Sequence, residues 1–276
     1  MTLARAAIAA CLLALAGPAM AADAAGAPRG IKSIGVLYDV DAPFGQRALS
    51  LSLIRREGDG FVYETYSRGL GLARLVIASD ALESTRFVLD QDGMVRPLGY
   101  MCRSCDGRRD GLVEIAYDPA ANLAVYSEKE ELLEVALDTR AMDRKSWEIQ
   151  TMLDIATGRP LGVEPTQIDG GTEFDDDGRP LGVEPTLEGG KLKLYSSERL
   201  GNETLDTRAG QLQTRKYRRQ REGSENFQYL WYARELGWLP ARWEIWRKDR
   251  RTVIIEAYEF AWGEDAALAM RADWLK

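Results

Sequence analysis

Histidine is absent from this chain of 276 residues. That removes the commonest general base, the commonest zinc ligand and the usual pH switch. It rules out Ser-His-Asp and Cys-His mechanisms. Cysteine is nearly as scarce, with three in all, of which Cys11 lies in the N-terminal leader. After the leader, no stretch is long and apolar enough to cross a bilayer as a helix. Nor is there an excess of positive charge: the net charge is −7, which disfavours non-specific nucleic-acid binding through phosphate neutralisation. Catalysis by paired carboxylates remains open to it.

What is present begins with a leader. Met1–Arg5 is short and basic, Ala6–Ala16 is apolar, and Ala19-Met20-Ala21 places small residues at a cleavage site. The pattern reads as a secretory signal peptide over residues 1–21, with the periplasm as the expected destination. Lipid modification of Cys11 is the competing reading, but the apolar run continues beyond that cysteine, where a lipoprotein leader should end. Residues 22–32 read as a flexible segment, 33–262 as a single domain and 263–276 as a C-terminal tail. Single all-β domains commonly reach this size.

The body alternates with a period of two. Leu49, Leu51 and Leu53 alternate with Ser50 and Ser52; Phe61–Tyr66 is aromatic and β-branched; Asp92-Gly93 marks a hairpin. About a dozen short strands at regular spacing imply one long antiparallel meander, which must curl into a roll or barrel. One segment follows helical spacing instead. Ile149, Met152, Leu153 and Ala156 form a stripe, with Asp143 as N-cap and Gly158 and Pro160 as the stop. It is expected to pack that stripe on the mouth or face of the curled sheet.

Gly158–Thr166 (GRPLGVEPT) recurs letter for letter as Gly178–Thr186. Two copies do not make a solenoid, so residues 157–189 read as a duplicated, exposed loop. Within it, Glu173, Asp175, Asp177, Gly178 and Glu184 match positions 1, 3, 5, 6 and 12 of a calcium loop. Position 1 is Glu rather than Asp, and Pro180 stands where an apolar residue belongs. An acidic loop tip is the plainer reading.

Cys102-Arg103-Ser104-Cys105 follows a strand, at a hairpin tip. A disulfide between Cys102 and Cys105 is expected in an oxidising compartment; a redox pair and a metal site are the alternatives. Trp231, Trp243, Trp246 and Tyr229 crowd the C-terminal meander, either lining a cavity for an apolar ligand or filling the core. Charge is segregated: residues 128–188 carry net −10, whereas residues 208–251 carry net +7. The basic part either meets an anionic partner such as lipid headgroups or faces the acidic part.

The C-terminal half resembles a known family. Gly190–Tyr195 (GKLKLY), Gly201–Thr207 (GNETLDT) with Gly210, Leu230–Ala233 (LWYA) and Leu236–Arg242 (LGWLPAR) occur in order, preceded by Tyr38-Asp39-Val40 and Gly93–Tyr100. That succession, from Ile34 to Phe260, is similar to the secreted bacterial family called Domain of Unknown Function 3108. The resemblance implies a curled antiparallel sheet or roll with one helix, exported to the envelope. It implies no activity, no cofactor and no catalytic residues. Three functions follow as expectations: a carrier for an apolar or amphipathic envelope molecule, an interaction module for envelope proteins, and, behind both, a carboxylate hydrolase.

Overall fold

The computed structural model describes residues 31–71, 80–105, 111–129, 131–137, 141–162 and 183–276. The meander is there. Its first half comprises β1 (Ile34–Ala42), β2 (Gln46–Glu57), β3 (Gly60–Leu70), β4 (Ala81–Leu89), β5 (Val95–Arg103), β6 (Leu112–Asp118), β7 (Leu123–Glu128) and β8 (Glu131–Ala136). Helix α1 (Arg144–Thr157) follows, then β9 (Val183–Glu188), β10 (Lys191–Thr207), β11 (Gly210–Arg221), β12 (Phe227–Ala233), β13 (Pro240–Arg247), β14 (Arg250–Trp262) and helix α2 (Glu264–Trp274).

All fourteen strands join one antiparallel sheet in the order β8-β7-β6-β5-β4-β3-β2-β1-β14-β13-β12-β11-β10-β9. Every neighbour is also a chain neighbour except β1 and β14, which pair first strand with last. The free edges are therefore β8 and β9, the two strands that flank α1 in the chain. Twist curls the sheet until these edges approach. Leu187 of β9 packs with Tyr100, Ile115 and Tyr126 from β5, β6 and β7. No hydrogen-bond ladder joins β8 to β9, so the roll is not a closed barrel. Instead Met142 lies along β9, donating its N–H to Pro185 O at 3.1 Å and accepting from Leu187 N at 2.8 Å.

Helix α1 begins where its sequence says it should. Asp143 accepts from the N–H groups of Lys145 and Ser146, which otherwise lack partners in a first turn. Gly158 ends it at φ 74, a left-handed cap that glycine adopts without steric cost. Its position differs from the expectation. Rather than resting an apolar stripe on the sheet, α1 runs inside the roll, and every residue from Lys145 to Ile155 is buried. Ile149, Met152 and Leu153 pack into a core shared with Tyr63 and Phe87 from one half of the sheet and Leu230 and Tyr232 from the other.

Two further expectations are corrected. Residues 263–276 are not a loose tail: α2 covers the outer side of β1 and β2, where Leu51, Leu53 and Tyr66 pack on Ala267 and Trp274. The alternation in β2 was thus real, but its leucine face points outward and needs α2 to bury it. Nor is the whole of 157–189 an exposed loop, because β9 occupies 183–188 and buries Glu184, Thr186 and Leu187. Two helices, rather than one, belong to the described chain.

Candidate functional site

A helix threaded through a roll must satisfy its polar side chains internally. Tyr63 donates to Glu148 at 2.7 Å, and Lys145 donates to the same carboxylate at 3.0 Å. Glu83 receives Tyr100 at 2.7 Å and pairs with Arg144 at 2.9 Å. Thr85 and Ser146 both donate to Asp143, at 3.0 and 2.6 Å. Burial raises the Glu148 carboxyl above the ordinary carboxylate range, beyond what Lys145 recovers. Burial also acts on Glu83, but Arg144 and Lys145 outweigh it and hold that carboxyl low. Lys145 faces two carboxylates, which raise its ammonium against the opposing effect of burial. These groups tie the helix to β3, β4 and β5.

A cavity of about 10 Å³ is lined by Met94, Met142, Trp147, Thr151, Asp154 and Glu184, among others. That volume holds at most one water. Asp154 accepts from Gln150 at 2.8 Å and pairs with Arg159 at 2.9 Å, yet burial still moves its carboxyl up to about 7. Glu184 is paired with Arg219 at 2.9 Å, both side chains 3% exposed. This pair joins the acidic and the basic parts of the chain inside the fold.

Arg219 leads to the mouth of the roll. Its guanidinium lies between two rings, 3.8 Å from the centroid of Trp147 and 3.6 Å from that of Tyr195. Nε donates to Glu184 and Nη2 to Thr186 at 3.2 Å. A planar cation stacked on both faces and bonded at its edge is fixed in place. Above it opens a cleft of about 150 Å³, lined by Tyr195, Arg219, Arg221, Gln228, Phe227 and Trp246, with Ser224, Asn226 and Ile245 completing the wall. Gln228 Oε1 is shielded from solvent and has no hydrogen-bond partner among the described residues. Such an orphaned acceptor is costly unless something donates to it.

The aromatic residues singled out in the sequence are not gathered around one cavity. Trp243 turns inward and meets Trp147 edge-on at 6.3 Å. Trp231, Tyr229 and Trp246 form a ladder on the outer side, with Trp246 stacked on Phe227 at 5.7 Å. Lys216 covers Tyr229 and Trp231, and Glu203 accepts from Trp231 Nε1. Trp246 alone of the four reaches the cleft. Cys102 and Cys105 are joined as a disulfide. Glu173, Asp175 and Asp177 fall outside the described residues, and Glu184 is committed to Arg219 in the core. Among the described residues no group of three metal-ligating side chains comes together.

Arg219 and Gln228 were missed by sequence reasoning. One arginine among many in β11 carries no local mark of burial; the only available signal was its place within an otherwise regular strand.

No family model matches the chain, and no curated protein does. Among solved structures, a Bacteroides fragilis protein described as exported, with a YmcC-like fold, covers 84% of this chain and 97% of its own at 14% identity, with a TM-score of 0.31. A Parabacteroides distasonis protein described as a lipoprotein covers 84% and 96% at 9% identity, with a TM-score of 0.28. Likeness at this level bears on neither chemistry nor location.

Proposed function

We propose that this is an exported envelope protein without catalytic function, which binds the anionic headgroup of an amphipathic envelope molecule in the cleft above Arg219. The observation that carries the reading is the cleft itself. The guanidinium of Arg219 lies at its floor, Arg221 and Gln228 line its wall, and the stacked rings of Phe227 and Trp246 form its rim. Cationic, hydrogen-bonding and apolar groups converge there as a headgroup with an attached chain requires. The apolar part of the ligand is placed outside, because α1 fills the lumen. Export rests on the leader at residues 1–21. Against a hydrolase stands the geometry of Asp154 and Glu184: they share a cavity that holds one water, and one of them is neutralised by Arg219.

Calorimetry of residues 22–276 with dihexanoyl phosphatidylglycerol tests the reading. Saturable binding that Arg221→Ala or Gln228→Ala weakens is expected. No heat at millimolar ligand would reject it.

A second reading has an observation of its own. β8 is a free sheet edge with Leu132 50% and Leu133 44% exposed, a template for strand addition by an envelope protein. Hydrogen exchange compares the two: a partner on this edge would protect the β8 amides in cell extract relative to the purified protein.

A further inference from the structure

Two neighbouring hairpin tips at the cleft end of the sheet each break a local rule. In the β1–β2 turn Phe44 adopts φ 64, the left-handed region, where a bulky L-residue is strained by about 1–2 kcal/mol. Its side chain is nevertheless 94% exposed, so no packing within the described fold offsets that strain. In the β13–β14 turn Arg247 stands directly opposite Arg250, a like-charge cross-strand pair of the kind that destabilises a sheet. Arg247, Lys248, Asp249, Arg250 and Arg251 are all exposed.

Pairing places the two tips side by side. Asp41 of β1 is opposite Ile254 of β14, so the Pro43–Gly45 turn emerges beside the start of β14. Trp246, opposite Arg251, connects this tip to the cleft. Arg47, at the base of the Phe44 turn, is paired with Asp39 and Asp41. Lys248 pairs with Glu225 at 3.1 Å and Arg251 with Glu244 at 3.1 Å. Among the described residues no carboxylate lies within ion-pair distance of Arg221, Arg247 or Arg250. On a chain of net charge −7, the end that carries an unburied phenylalanine also carries Arg247 and Arg250.

We infer that this end of the roll docks on an anionic phospholipid bilayer, with Phe44 entering the headgroup boundary and Arg247 and Arg250 taking lipid phosphates. An aromatic ring at the interface and arginines at the phosphate level are the arrangement that such a surface favours. The inference extends the headgroup reading from a single ligand to the surface that supplies it, and it stands on separate residues.

Flotation with vesicles of phosphatidylglycerol and phosphatidylcholine in equal parts, against vesicles of phosphatidylcholine alone, tests it. The protein is expected to float with the anionic vesicles and to be released by salt. Phe44→Gly should weaken binding roughly tenfold, while its thermal stability holds or rises because glycine accepts the turn without strain. That separates lost docking from lost folding. Arg247→Gln with Arg250→Gln should weaken binding about fivefold for each charge removed. Equal binding to both vesicle types, no flotation, or flotation unchanged in these variants would overturn the inference. Arg221→Ala measured with the short-chain lipid reports on the cleft alone: if vesicles bind and the soluble lipid does not, docking stands and the cleft reading falls. The reverse result rejects docking and leaves the cleft.

Discussion

Glu184 of β9 and Arg219 of β11 meet at 2.9 Å inside the roll, on opposite sides of the intervening strand β10. The contact joins an edge strand drawn from the duplicated sequence to the floor of the cleft. Ser197 and Thr151 approach the same carboxylate, at 3.4 and 3.5 Å. Arg219→Ala should cost about 3–5 kcal/mol, because it leaves Glu184 buried and unpaired. Replacing both, Arg219→Met with Glu184→Leu, should recover most of that loss. Urea unfolding of the three proteins checks this; a double variant as unstable as the single one contradicts it.

Asp154 gives the fold a pH dependence of known sign. Its carboxyl titrates near about 7 in the folded state and near about 4 in the unfolded chain. Between those values the native state holds a proton that the unfolded state has lost. The contribution of Asp154 is therefore fully present below pH 4 and is lost as pH rises through 7. Relative to Asp154→Asn, the natural protein should lose about 4 kcal/mol across that window. Parallel stability–pH curves for the two proteins would refute the assignment.

The exact repeat makes a clean deletion possible. Gly162 and Glu184 line the same small cavity, and residues 163–182 separate Gly162 from Val183. Removing 163–182 restores a single GRPLGVEPT that contains both Arg159, the partner of Asp154, and Glu184, the partner of Arg219. Stability should change by less than about 1 kcal/mol. A markedly lower melting temperature would assign the inserted residues a role in the fold.

The Cys102–Cys105 bridge closes a loop with a sequence separation of 3. Chain entropy for so short a loop amounts to about 2 kcal/mol at most. Reduction, or Cys102→Ser with Cys105→Ser, should lower stability by no more than that and leave far-ultraviolet circular dichroism unchanged.

At Gly35 α2 packs tightly on the sheet. A Cβ at this position would lie 2.9 Å from Met270 Sδ and 3.1 Å from Leu53 Cδ2. Gly35→Val should lift α2 from β1 at a cost of about 1–3 kcal/mol. Proteolysis after α2 residues, faster than in the natural protein, is the accompanying readout.

The sequence by itself determined the local rules. Period-two alternation and turn residues specified an antiparallel meander, and Asp143 with Gly158 bounded α1, because caps and turns are written within a few residues. The α2 stripe of Ala267, Met270 and Trp274 also falls at helical spacing. Tertiary structure decided the rest. Which face of β2 points inward depends on what covers the other, and Leu51 and Leu53 face outward because α2 supplies the cover. That α1 threads the roll, that Glu184 belongs to the core rather than to a loop, and that Arg219 underlies a cleft are consequences of curling fourteen strands. Burial of a charge depends on partners brought from 35 residues away in the chain, and no local pattern carries that information.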